Sequence, residues 1–194
     1  AGHTMRENRW EKKAYSKGFE LEGKTMGVIG YGRIGQMVGR KGQALGMRVL
    51  SVVHRNKPEG CECETMKFVS IEELLAQSDI IVLCDPYAGG PAPVFPGGDR
   101  PLVDGESLAK MKDGVVIVNV SRGSNVDEGA LLDALNSGKV RAAGLDVWMS
   151  EKDPNWALAQ HPAVSCTPHI GAGTKEAQKR IGAELVDIVE HFKA

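Results

Sequence analysis

The stretch Gly30-Tyr31-Gly32-Arg33-Ile34-Gly35 constrains the fold more than any other part of the chain. It follows an apolar run, Met26-Gly27-Val28-Ile29, that reads as a buried strand, and it opens an amphipathic stretch from Ile34 to Leu45 that reads as a helix. In this context each glycine has a physical reason. The first permits a tight turn, the second lets the backbone approach a pyrophosphate, and the third lets helix pack against strand. The helix N-terminus adds unpaired N–H groups and a partial positive charge. A lone glycine pattern is weak evidence, but strand, turn and helix in sequence make it a dinucleotide fingerprint. Gly30, Gly32, Arg33, Ile34 and Gly35 are therefore expected to hold the cofactor.

The nucleotide type depends on the end of the next strand, Arg48 to Val53. An NAD site usually carries an acidic residue there, about 20 residues on, to accept from the ribose 2′-hydroxyl. Here Val53 is followed by His54 and Arg55. A carboxylate would repel a 2′-phosphate, whereas Arg55 could pair with it. The sequence thus favours NADP over NAD, with His54 and Arg55 as the contacts.

Further apolar runs at Ile80–Leu83, Val115–Val118 and Arg141–Val147 alternate with helical stretches. Ser70 precedes Glu73 in capping-box form, Asp127 and Thr174 are placed as N-caps, and Gly138 is placed to end a helix. Continuous apolar strands separated by helices imply an α/β, doubly wound parallel-sheet Rossmann domain. Residues 1–194 are expected to form that one domain, with a linker segment over about 1–22 and a final helix over about 174–192. Pro86 to Pro101 holds too many prolines and glycines for helix or central strand and reads as a long surface loop.

Charge narrows the partners. Lys+Arg number 24 and Asp+Glu 25, a net charge of −1, which leaves no footprint for nucleic acid or an anionic membrane. No apolar run is long enough to span a bilayer. Cys61, Cys63, Cys84 and Cys166 lack zinc-site spacing and read as free thiols, so no metal is expected and a cytoplasmic setting is.

Several motifs together resemble the D-isomer-specific 2-hydroxyacid dehydrogenases. They are Glu22 to Gly30, Val118-Asn119-Val120-Ser121-Arg122-Gly123 with Val126-Asp127-Glu128, Gly144-Leu145-Asp146-Val147-Trp148, and Thr167-Pro168-His169-Ile170-Gly171. Thr174-Lys175-Glu176-Ala177-Gln178 is most similar to the phosphoglycerate dehydrogenase branch. The resemblance implies that Arg122 binds substrate, Glu151 is the catalytic glutamate and His169 is the acid/base. It also implies cofactor contacts from Pro86, Val120 and Asp146, the last near the nicotinamide. Two departures are visible: Lys152 stands where the family usually has proline, and the Pro86–Pro101 segment lacks the family's Thr-Pro-x-Thr pattern.

The residue types suit the implied chemistry. Reduction of a 2-keto acid needs a proton at the carbonyl oxygen, which histidine supplies near neutral pH. A carboxylate such as Glu151 favours the imidazolium form. Arg122 can grip a carboxylate with paired donors. The implied function is hydride transfer between a 2-hydroxy acid and its 2-keto acid, with a 3-phosphoglycerate-like substrate favoured. The family's substrate domain would be largely absent, so the isolated domain should bind cofactor and turn over weakly. A homodimer is also implied. A dinucleotide-sensing protein of the corepressor type, without turnover, is the alternative reading. The Rossmann domain of S-adenosylhomocysteine hydrolase shares only the glycine turn.

Overall fold

The computed structural model describes residues 2–52, 60, 62–85 and 101–192. Its elements alternate strand and helix. A short helix α1 (Gly2–Arg6) precedes β1 (Thr25–Ile29), α2 (Arg33–Ala44), β2 (Arg48–Val52), β3 (Met66–Val69), α3 (Ile71–Gln77) and β4 (Ile80–Leu83). Then follow α4 (Gly105–Lys110), β5 (Val115–Asn119), α5 (Glu128–Ser137), β6 (Val140–Leu145), α6 (Trp156–Ala159), β7 (Val164–Cys166) and α7 (Lys175–His191).

The seven strands form one sheet in the order β3-β2-β1-β4-β5-β6-β7, and the paired strands run parallel. The chain leaves β1 for β2 and β3 on one side, then crosses back to β4 on the other. This reversal opens a crevice beyond the carboxyl ends of β1 and β4, the place where open parallel sheets bind ligands. Helices cover both faces, which is why β1 is buried along its whole length and reads as a continuous apolar run. One cluster includes Ile29, Leu74, Ile81, Leu83, Ile117 and Leu131, and a second includes Met26, Val28, Val49 and Met66.

Close approach of α2 to the sheet depends on small residues. Its buried positions are Gly35, Gly39 and Gly42, and a Cβ on Gly42 would collide with Met26 Cε. The doubly wound parallel sheet matches the sequence reading, and several boundaries shift. β6 runs from Val140 to Leu145, so Asp146 and Val147 lie beyond the strand that the sequence extended to Val147. The segment read as an N-terminal linker contains the helical turn Gly2–Arg6. Thr174, Asp127 and Ser70 cap their helices as expected, accepting from Ala177, Ala130 and Glu73 N–H. Gly138 adopts the left-handed conformation, φ 79, that ends α5.

Candidate active site

The glycine turn stands at the crevice between β1 and β4. Gly30 has φ +93, and a Cβ there would lie 2.5 Å from Asp85 N. The turn can therefore run against the residues that follow β4 only as glycine. A Cβ on Gly35 would strike the Gly30 carbonyl, so the third glycine closes the turn onto the helix. Gly32 differs, because nothing lies within 4 Å of its Cβ position. It is the N-cap of α2, no side chain caps that helix, and its first turn holds no acidic residue. The first-turn N–H groups thus face a space that an anion can enter, which fits a cofactor pyrophosphate. Ile34 and Arg33 are exposed beside it, and Arg33 pairs with Glu184 of α7 at 3.2 Å.

Arg122 sits just beyond β5 on a turn held from beneath by buried amides. Asn119, 1% exposed, donates from Nδ2 to the Arg122 carbonyl at 2.8 Å. Its Oδ1 accepts from both the N–H and the hydroxyl of Ser121, at 3.1 and 2.9 Å. Asn125 donates to Ser121 Oγ at 2.8 Å and to the Asp85 carbonyl at 2.7 Å, tying the Arg122 turn to the end of β4. The Arg122 side chain is exposed and donates to the Ser121 carbonyl at 2.7 Å. Val120, 41% exposed and alongside the end of β4, is open to a ligand in the crevice.

His169 is held by Asp146. His169 N–H donates to the Asp146 carbonyl at 2.8 Å. The Asp146 carboxylate accepts from the Thr167 hydroxyl at 2.5 Å, and from Ile170 and Gly171 N–H at 2.9 Å each. Partial burial pushes the Asp146 carboxyl up, but the Thr167 hydroxyl, these two N–H groups and nearby His169 outweigh it. The net effect holds the carboxyl below its ordinary range, so it is ionised at neutral pH. These bonds also sustain an uncommon backbone: His169 has φ 55, in the left-handed region that a non-glycine residue adopts only where its surroundings require it.

The same turn brings His169 Nδ1 to 2.5 Å from Glu151 Oε1. With Nδ1 engaged, Nε2 is the nitrogen left to exchange a proton with a substrate. The pair is open to water, at 44% and 58% side-chain exposure, so it contributes little to stability and its value lies in orientation.

The structure thus brings Glu151 and His169 together, places Asp146 directly behind them, and joins the Arg122 turn to Asp146 through Asn119, whose carbonyl accepts from Asp146 N–H at 3.0 Å. His54, Arg55 and Pro86 lie outside the described residues, as does most of the Pro86–Pro101 segment. Asn119, Ser121, Asn125 and Thr167 were not singled out from the sequence. Their polar side chains within or beside apolar runs were the available signal, because such groups are buried only with partners. Among the described residues, no group of three or more His, Cys, Asp or Glu could hold a metal, and no helix is long and apolar enough to cross a membrane.

Known proteins are similar to this chain in sequence and fold. The sequence model of the D-isomer specific 2-hydroxyacid dehydrogenase NAD-binding domain matches residues 1–171. The chain is 43% identical over 187 residues to a hydroxypyruvate reductase from Thermotoga maritima, covering 95% of this chain and 57% of that protein. It is 41% identical over 189 residues to D-3-phosphoglycerate dehydrogenase from Mycobacterium tuberculosis, covering 97% of this chain and 34% of that protein. A D-lactate dehydrogenase from Aquifex aeolicus, solved with NAD and lactic acid, superposes with a TM-score of 0.79 at 33% identity, covering 97% of this chain and 60% of that one. The chain therefore spans between a third and three-fifths of the length of these proteins.

Proposed function

The chain belongs to the D-isomer specific 2-hydroxyacid dehydrogenases, and from that membership we propose that it serves NAD(P)H-linked reduction of a three-carbon 2-keto acid, and the reverse oxidation. The observation that carries the proposal is the Glu151–His169 pair, held at 2.5 Å on a turn that the Asp146 carboxylate fixes.

The nicotinamide cofactor, when bound, supplies the hydride. The protein's own groups do the rest. The uncapped N-terminus of α2 and the open face of Gly32 receive the pyrophosphate, with Arg33, Ile34 and Val120 around it. Arg122 grips the substrate carboxylate and turns its carbonyl toward the cofactor. His169 donates its Nε2 proton to the carbonyl oxygen as the 2-hydroxy acid forms, and Glu151 orients the ring by holding Nδ1. Asp146 acts toward the nicotinamide end through the turn it holds.

Hydroxypyruvate reductase and D-3-phosphoglycerate dehydrogenase are the relatives' functions, and their substrates share one three-carbon skeleton. A 3-phosphoglycerate-like acid is the favoured substrate here, in line with the Thr174–Gln178 run. Arg55 and the missing acidic residue after β2 favour NADP over NAD. Homodimerisation and a place in serine biosynthesis accompany this reading. The exposure of His169 and Glu151 means that water must be excluded by a further wall for fast turnover, so this chain alone should turn over slowly.

Steady-state reduction of 3-phosphohydroxypyruvate, hydroxypyruvate and glyoxylate, each with NADPH and NADH, tests the proposal. Slow turnover of the three-carbon acids with NADPH preferred is expected. Brisk turnover by this chain alone would overturn the need for a further wall, and a preference for NADH would overturn the NADP assignment.

A further inference from the structure

Glu151 does not reach His169 by belonging to a regular element. β6 ends at Leu145 and α6 begins at Trp156, and the chain between them is neither helix nor strand. The position of Glu151 must come from side-chain and loop bonds. Asp146 N–H is held by the Asn119 carbonyl at 3.0 Å. Trp148, buried in the core, donates from its indole to the Thr167 carbonyl at 3.2 Å. Met149 N–H then donates to Glu128 Oε1 at 2.8 Å. Two residues later Glu151 meets His169.

We propose that Glu128 is a positioning residue for the acid/base pair: its carboxylate, by accepting from Met149 N–H, fixes the turn that presents Glu151 to His169. Three observations support this. Glu128 is the first residue of α5, but Asp127 already supplies the cap by accepting from Ala130 N–H at 3.0 Å, so the Glu128 carboxylate is free for another task. The turn is also gripped from the other side. A Cβ on Gly123 would collide with the Trp148 carbonyl and Met149 N, so the backbone just after Arg122 lies against the same peptide that Glu128 binds. Lastly, Glu128 lies six residues after Arg122 in sequence, so its bond to Met149 ties the short stretch that carries Arg122 to the Glu151 turn. In this arrangement Glu128 acts through Glu151.

This inference rests on the reading of Glu151 and His169 as the acid/base pair, and the test separates the two. A histidine Nδ1–H held by a carboxylate gives a proton resonance far downfield, read at low temperature where exchange with water is slow. That resonance is followed by proton NMR on the full 194-residue chain for wild type, Glu128→Ala, Glu128→Asp, Glu128→Gln and Glu151→Ala, with a thermal melt of each. The wild-type signal should be lost in Glu151→Ala. It should also be lost, or broadened by exchange, in Glu128→Ala, and in Glu128→Asp, which keeps the charge at the helix start but is one methylene too short. Glu128→Gln, whose amide oxygen still accepts from Met149 N–H, should keep it. Melting temperatures should stay close to wild type throughout. A sharp signal in both Glu128→Ala and Glu128→Asp, with loss in Glu151→Ala, would overturn the positioning role and leave the pair intact. A signal that survives Glu151→Ala would overturn the pair itself, and the role of Glu128 with it.

Discussion

Glu151 and His169 are 18 residues apart in sequence and 2.5 Å apart in space, and neither lies on a helix or strand. The connection is made by two carboxylates and an amide. Asp146 holds the histidine turn, Glu128 the glutamate turn, and Asn119 joins them to the turn of Arg122. An acid/base pair this exposed keeps its geometry because the surrounding backbone is tied down, not because it is buried.

Replacing His169 by Gln should remove the proton donor and leave the cofactor site alone. Turnover of the 2-keto acid is expected to fall by roughly 10²- to 10⁴-fold, the usual range for loss of a general acid. Cofactor affinity, measured by fluorescence titration, is expected to stay as in wild type. Equal turnover by this variant would remove His169 from the mechanism.

Asn119→Ala should destabilise the fold more than its single side chain suggests. It leaves the buried Ser121 N–H and hydroxyl without their acceptor, a loss of about 1–3 kcal/mol for each group left unsatisfied. Urea denaturation followed by circular dichroism reads this directly. A wild-type midpoint would show that the network beneath Arg122 is not needed.

Acid should loosen the histidine turn. The Asp146 carboxyl is held below its ordinary range in the folded chain, so its contribution is present above the unfolded value, about 3.9, and is lost as pH falls through the lower folded value. Thermal melts between about pH 5 and pH 2 should therefore show a decline that Asp146→Asn partly removes. An identical pH profile in the variant would contradict the role given to this carboxylate.

The nucleotide preference is testable at Arg55. Arg55→Glu should reverse any preference for NADPH, because a carboxylate repels the 2′-phosphate and can accept from a 2′-hydroxyl. The ratio of dissociation constants for NADPH and NADH is the readout. A ratio unchanged by the substitution would place the discrimination elsewhere.

Much of this organisation was legible in the sequence where local physics and tertiary context agree. Gly35 against Gly30, the caps Ser70, Asp127 and Thr174, and the left-handed Gly138 are all decided within a few residues of themselves. Elements whose reason lies elsewhere were harder. β3 and β7 have four and three residues at the two edges of the sheet, too short to show a period. α4 starts at a capping box formed by Asp104 and Ser107, a pairing without the usual glutamate. Arg122, Glu151 and His169 could be named from motifs, but only the fold shows why Asp146, Asn119 and Glu128 accompany them. Asp146 and Glu128 bond residues 21 to 25 positions away, and Asn119 reaches Asp146, 27 positions on, so no spacing rule links them.

The central claim is that the space above Gly32 receives a dinucleotide pyrophosphate, and Gly32→Val tests it most directly. Nothing lies within 4 Å of the added Cβ, and the backbone at φ −75 suits a branched side chain, so the fold should be unaffected. Calorimetric titration with NADPH and NADH should show saturable one-to-one binding to wild type. The variant should melt at the wild-type temperature and bind at least about tenfold more weakly, a loss of about 1.4 kcal/mol or more. Wild-type affinity in Gly32→Val, or no binding of either nucleotide to the wild-type chain, would contradict the account.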